Sequence, residues 1–366
     1  MREDAFIEVD PIRCYHHGGA ATPLADVHKY MRIYMPRSYE QLLRQYDVIV
    51  LSDAYRGAFT LRQLGWFKSA VVQEGLGLVM VGGLDSFGAS SSRPAASWSG
   101  SIVEEILPVI VPPPAGHHNW IHVALAGGCA RIQIEDHENE FIRSLPFQPP
   151  PKYTWCFNGQ IVFQKEGSSR LARYILPRFG NPPCYVTWMQ GRGRTFAMMH
   201  DWSGNSEFSR WDYYPDFAIN LMLYLAGREL PEDYLTVHQY REEITRVAVG
   251  KRIILSFISF VESFGGNPER IDKELVSLDS MVSHAEDLYL QNDFVSALSA
   301  ARRAVEKLKE VEILSMKVKN QALFWVYVVE YLSVTGVALL SGFALWTLMV
   351  RRKLYAEVGV TRLAPK

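Results

Sequence analysis

Residues 46–88 constrain this chain more than any other stretch. They open with Tyr46-Asp47-Val48-Ile49-Val50-Leu51, a short apolar run rich in β-branched residues that stops at Ser52-Asp53. A second such run, residues 76–81, stops at Gly82-Gly83. Between them Leu61, Leu64, Phe67, Val71 and Val72 recur at helical spacing. Buried strands read as continuous apolar runs, and a helix joining two of them predicts a βαβ unit with parallel strands. In such sheets ligands gather beyond the carboxyl ends of the strands. Asp53 and the turn Gly82-Gly83-Leu84-Asp85-Ser86 are therefore expected on one edge.

The pattern around this unit predicts further strands at 5–9, 32–35, 121–125, 130–134, 160–164, 173–176, 184–189 and 195–199. Helices are expected at 38–44 and 208–227, with a short one after Ser101 carrying Glu104 and Glu105. At 366 residues and 48% hydrophobic, the chain has material for two domains with real cores. A net charge of -1 gives no electrostatic ground for a nucleic-acid partner. The four cysteines, Cys14, Cys129, Cys156 and Cys184, form no CxxC pair. That leaves free thiols and disulfides both open, and no motif calls for a cofactor.

Several polar residues fall at predicted strand ends. The loop Cys14-Tyr15-His16-His17-Gly18-Gly19 offers Cys14, His16 and His17 as metal ligands. The other reading is a Gly-rich polar loop whose histidines face water. The strand at 195–199 runs into His200-Asp201. One expectation is a small polar ligand held by Asp53, Gly82, Gly83, Asp85, Ser86, Glu104, His200 and Asp201. Another is a hydrolytic site, with Ser86, Asp85, His200 and Asp201 as candidate catalytic groups. The third is that these residues only cap loops and helices, as Asp does after strands.

Four segments come in order: YDVIVLSD, VVQEGLGLVMVGGLDSFG, GSIVEEILPV, and GRGRTFAMMHDW with a following helix ending LMLYLAG. They resemble the putative glutamine amidotransferase-like family, within the class I glutamine amidotransferase-like superfamily, over about residues 5–230. The resemblance implies an α/β fold, a flavodoxin-like sandwich with a mostly parallel sheet. It also implies that active relatives carry a Cys at the elbow after the second strand, in a G-x-C-x-G pattern, with a His–Glu pair later. Here Leu84 or Asp85 stands near that position. Acyl transfer from glutamine needs a thiolate on the strained turn and a base beside it. Neither Leu84 nor Asp85 forms a thioester, and Ser86 has no evident His relay. Reaching in from its own loop, Cys14 would be a new arrangement. The expectation is a pseudoenzyme that binds or assembles. The alternatives are a membrane-anchored hydrolase or metal-dependent enzyme, and a structural subunit of a membrane or cell-envelope complex.

Past Pro231 the character changes. Residues 231–320 read as a helical stalk with an αα-hairpin: Asn267-Pro268-Glu269 starts one helix and Gln291-Asn292-Asp293 turns into the next. Residues 321–350 read as a transmembrane helix, because 331–350 holds no charged residue and is long enough to cross a bilayer. Trp325, Tyr327 and Tyr331 flank one end, Trp346 and Tyr355 the other, and Arg351-Arg352-Lys353 opens a basic tail to residue 366. The expected partners are the lipid bilayer and, through the hairpin and the Ala338/Gly342 pair, a second copy or another membrane subunit. The basic tail favours an external domain, and the absence of an apolar leader favours a cytoplasmic one.

Overall fold

The computed structural model describes residues 4–14, 23–83, 85–88, 96–113, 120–121, 131–147, 159–202, 207–263 and 267–358. It divides into two compact units, Met1–Gln239 and Tyr240–Lys366.

In the first unit the chain enters through α1 (Leu24–Tyr34) and α2 (Tyr39–Gln45). The strand expected at 32–35 is instead the last turn of α1 and its cap. Val27, Met31 and Met35 are buried at i, i+4 spacing, so one apolar helical face overrides the β-leaning sequence Arg32-Ile33-Tyr34. Nor does a strand form in residues 4–9, where the Ile7 N–H turns back to the Asp4 carbonyl. The βαβ unit follows as β1 (Val48–Ser52), α3 (Leu61–Ser69) and β2 (Gly77–Val81). Thr60 and Gln63 form a capping box at the start of α3. A π-helical turn, Ala70–Glu74, ends the helix at Gly75, whose φ of 90° only glycine adopts freely.

Four short strands come next or interleave: β3 (Val109–Ile110), β4 (Trp120–Ile121), β6 (Gly159–Gln160) and β7 (Phe163–Gln164), paired as β3–β7 and β4–β6. The main sheet is completed by β5 (Arg131–Ile134), β8 (Ser169–Ile175), β9 (Pro183–Gln190) and β10 (Gly193–Met198). A one-turn helix, α4 (Glu140–Arg143), lies between. The strand order is β1-β2-β10-β9-β8-β5.

This sheet is mixed, not mostly parallel. β1, β2 and β10 run parallel, whereas β10–β9, β9–β8 and β8–β5 are antiparallel. The reason is local: Gly191-Arg192 joins β9 to β10 directly, and so short a link allows only an antiparallel pair. Of the strand expected at 121–125, only its first residue lies within the described residues. α5 (Tyr214–Leu225) packs its apolar length on the sheet, where Phe141, Tyr185, Phe196, Phe208 and Phe217 are fully buried together.

α6 (Tyr234–Ser263) carries the boundary between the units. The second unit adds α7 (Glu269–Leu290) and α8 (Phe294–Val358). The Asn267 side chain accepts the Glu269 N–H at 2.9 Å, and Asn292 turns the chain at φ 62°. Ile254, Ile258, Leu275, Leu278, Leu308 and Val311 form its core. α8 is 65 residues long. It contains a window of mean hydropathy 1.8, none of it buried, that is long and apolar enough to cross a membrane.

Candidate functional site

The elbow after β2 is the point where the loops of the sheet edge meet. β1 ends at Ser52, and Asp53 follows with φ 47°, in the left-handed region. That turn aims its carboxylate across the edge, where Oδ1 accepts the Asp85 N–H at 2.7 Å. Gly82 and Gly83 are required by space. A Cβ on Gly82 would run into the Met199 carbonyl, and one on Gly83 into the Asp53 carboxylate. The Gly82 N–H donates to the carbonyls of Met198 and His200, clamping the elbow to the end of β10.

Other polar groups at the elbow are engaged from within. The Ser86 hydroxyl donates to the Val81 carbonyl at 2.6 Å and is buried. Trp98 lies over the turn, its indole N–H donating to the carbonyls of Ala54 (3.0 Å) and Asp85 (3.3 Å). Gln160 braces the other side: its amide donates to the Gly83 carbonyl at 2.8 Å, and its backbone N–H to Met199 at 2.9 Å. Its Oε1 is buried without a partner.

His200 is buried, and both nitrogens of its imidazole are engaged. Nδ1 lies 2.9 Å from the Asp201 carbonyl, which can only accept, so Nδ1 carries the proton. Nε2 then accepts from the Tyr185 hydroxyl at 2.7 Å. Burial holds its pKa down to about 4, partly countered by the Asp201 carbonyl. The ring is thus a neutral core histidine against Tyr185 and Phe208.

Cys14 reaches the edge, its carbonyl accepting the Tyr55 N–H. Burial, with the Asp53 and Asp85 carboxylates adding to it, pushes its thiol up to about 11. That is the opposite of what an attacking thiolate needs. Cys14 and Cys184 are free thiols; Cys129 and Cys156 lie outside the described residues.

The structure thus brings Cys14, Asp53, Gly82, Gly83, Asp85 and Ser86 together. Glu104 is engaged elsewhere, its carboxylate accepting the N–H groups of Gly100 and Val111. Asp201 meets His200 through its backbone carbonyl. His16 and His17 lie outside the described residues, as does Leu84 at the elbow tip. Among the described residues no group of three His, Cys, Asp or Glu side chains is placed to hold a metal ion. Sequence reading missed Gln160 and Tyr185, because their roles depend on side chains arriving from strands remote in the chain. The indole in the loop at 96–100 was visible, but not what it covers.

A mixed α/β sheet with an elbow at the carboxyl end of β2 defines the class. Residues 25–227 match the family model described as putative glutamine amidotransferase, more than half of the chain, and the chain belongs to that family. Among solved structures it is similar to cytoplasmic protein STM3548 of Salmonella typhimurium, at 22% identity over 54% of this chain and 78% of that one, with a TM-score of 0.43. It is also similar to cytoplasmic protein STM1381 of Salmonella typhimurium LT2, at 24% identity over 52% of this chain and 76% of that one, with a TM-score of 0.42. No curated protein sequence matches the chain.

Proposed function

We propose that this family member is a membrane-anchored binding or assembly module that does not hydrolyse glutamine. One observation carries the chemical half of the reading. The elbow's own groups are spent on holding the elbow: Ser86 on Val81, Asp53 on Asp85. A nucleophile needs a free lone pair and a base within hydrogen-bond reach. Ser86 has its proton on a backbone carbonyl, and the nearby imidazole of His200 is bound on both nitrogens. The raised thiol of Cys14 points the same way. The anchoring half rests on α8, where large apolar side chains from Phe324 to Val350 stand exposed to their surroundings. Such an apolar surface is costly in water and suits lipid. The α7–α8 hairpin is then the surface through which a second copy or another membrane subunit assembles.

The test is a glutaminase assay on the full chain in mild detergent. The expected result is no glutamate release above the blank. A rate that is lost in Cys14→Ser or Ser86→Ala overturns the reading. For the anchor, the protein is expected to stay in the membrane pellet after alkaline carbonate washing, and release into the supernatant counts against it.

A further inference from the structure

A groove of about 500 Å³ opens between the last turn of α1 and the first turn of α3, away from the elbow. Three arginines line it: Arg32, Arg37 and Arg62. No carboxylate is among the residues lining it. Among the described residues, no hydrogen bond or ion pair engages any of the three guanidinium groups. Several arginines elsewhere are paired with carboxylates. Arg170 and Arg173 meet Glu135, Arg194 meets Glu140, and Arg246 meets Glu243. Like charges gathered in one concavity repel one another and focus a positive potential, which an anion relieves.

The backbone adds to this. The capping box of α3 engages the N–H groups of Thr60 and Gln63, and that of Arg62, which lines the groove, is left over. First-turn N–H groups and the helix dipole favour negative charge. Met35 and Trp66 give the groove an apolar wall. Its volume is far beyond what a bare ion fills, and it falls in the range of roughly 300–1,000 Å³ common to small-molecule sites.

We propose that this groove binds a small molecule bearing two or more oxyanion groups, phosphate or carboxylate. The arginine forks grip the oxyanions, and Trp66 and Met35 face the rest of the molecule. Guanidinium groups match both oxyanions in bidentate geometry, which lysine does not. The proposal stands apart from the elbow and from the membrane anchor.

Calorimetric titration of the full chain in a zwitterionic detergent tests it, with pyrophosphate and citrate as probes in chloride buffer. At least one probe is expected to bind saturably, more weakly as chloride rises. Arg37→Ala or Arg62→Ala is expected to weaken that binding about tenfold or more, since each removes a charge-assisted contact. All three arginines are exposed, so thermal melting of the variants is expected to match the parent. The stronger probe identifies the oxyanion as phosphate or carboxylate. The proposal fails if neither probe binds at about 10 mM, the level of a very weak site. It also fails if binding survives unchanged when Arg32, Arg37 and Arg62 are all replaced by Ala.

Discussion

The carboxylate of Asp53 holds the backbone N–H of Asp85 at 2.7 Å, so the loop leaving β1 fixes the turn leaving β2. Asp53 takes a φ of 47° to do so, a conformation that Asp and Asn tolerate better than other side chains. Asp53→Ala leaves the Asp85 N–H without its acceptor in a turn where Asp85 is fully buried. The expected loss is about 1–3 kcal/mol of unfolding free energy. Asp53→Asn keeps an acceptor oxygen and suits the backbone, so its loss is expected to be less than half as large. Denaturant titration of both variants checks this; equal losses would mean that the hydrogen bond is not what holds the turn.

The two elbow glycines are expected to differ. A methyl group on Gly82 meets the Met199 backbone carbonyl, which is held by the Gln160 N–H, whereas one on Gly83 meets the Asp53 carboxylate, which can swing, and the Asp53 Cβ at 2.6 Å, which cannot. Gly82→Ala is therefore predicted to be the worse change, about 1–3 kcal/mol or more from overpacking. Gly83→Ala is predicted to cost less when combined with Asp53→Ala than the two single losses together. A double-mutant cycle reads that coupling directly. Strict additivity would contradict the contact.

His200 makes stability depend on pH in a defined window. Its pKa falls from an ordinary 6.5 to about 4 in the fold, because burial disfavours the charged ring. Between those values the unfolded chain takes up a proton that the folded one refuses. The contribution is fully present above pH 6.5 and is lost as pH falls toward 4. Its full size is roughly 3 kcal/mol. Carboxylates titrate in part of the same window, so the comparison is with His200→Gln, which keeps a polar side chain and removes the titration. Denaturant midpoints at pH 7.5, 5.5 and 4.5 are expected to fall less steeply in the variant. Parallel profiles would show that His200 does not carry this dependence.

The βαβ unit was legible in the chain because each of its signals is local. Two apolar runs, a helical stripe and a capping pair sit within one stretch of sequence, and burial of β2 on all five residues matches its unbroken apolar run. The edge gathering of Asp53 with the elbow was legible for the same reason. What local pattern does not carry is pairing. The apolar runs at β8, β9 and β10 read equally well in either direction; the short Gly191-Arg192 link sets β9 and β10 antiparallel, and the β8–β9 pair is closed across the longer link at 176–182. Arg32 to Met35 misled because β-propensity is weaker than an apolar face already running through Val27 and Met31. His200 fell at a strand end, as an edge residue would. Which way its ring turns was decided by Tyr185, on a neighbouring strand.

Cys14 is predicted to be a slow thiol. With its pKa at about 11 rather than the ordinary 9.0, its thiolate fraction near neutral pH is about 100-fold lower than that of a free cysteine. Burial is the first cause and Asp53 the next. Iodoacetamide labelling at pH 7.5, followed by mass spectrometry, is expected to modify Cys14 far more slowly in the folded chain than in denaturant. Asp53→Asn is expected to speed it by removing one nearby charge. Rapid labelling in the folded parent would mean an exposed or activated thiol and would reopen its candidacy as a nucleophile.

The anchor can be separated from a merely apolar helix by where a charge is tolerated. Leu340 is 72% exposed in α8, and Ile313 is 57% exposed nearer the start of the same helix. In water both positions accept arginine readily, since neither is packed. In a bilayer they differ: Leu340 falls at the middle of the uncharged run 331–350, whereas Ile313 precedes it by several turns. A central arginine costs about 2.5–3.5 kcal/mol of insertion free energy. Leu340→Arg is therefore predicted to lower the carbonate-resistant membrane fraction, and Ile313→Arg to leave it unchanged. If both variants pellet like the parent, or both are released, the uncharged run is not what holds the protein at the membrane.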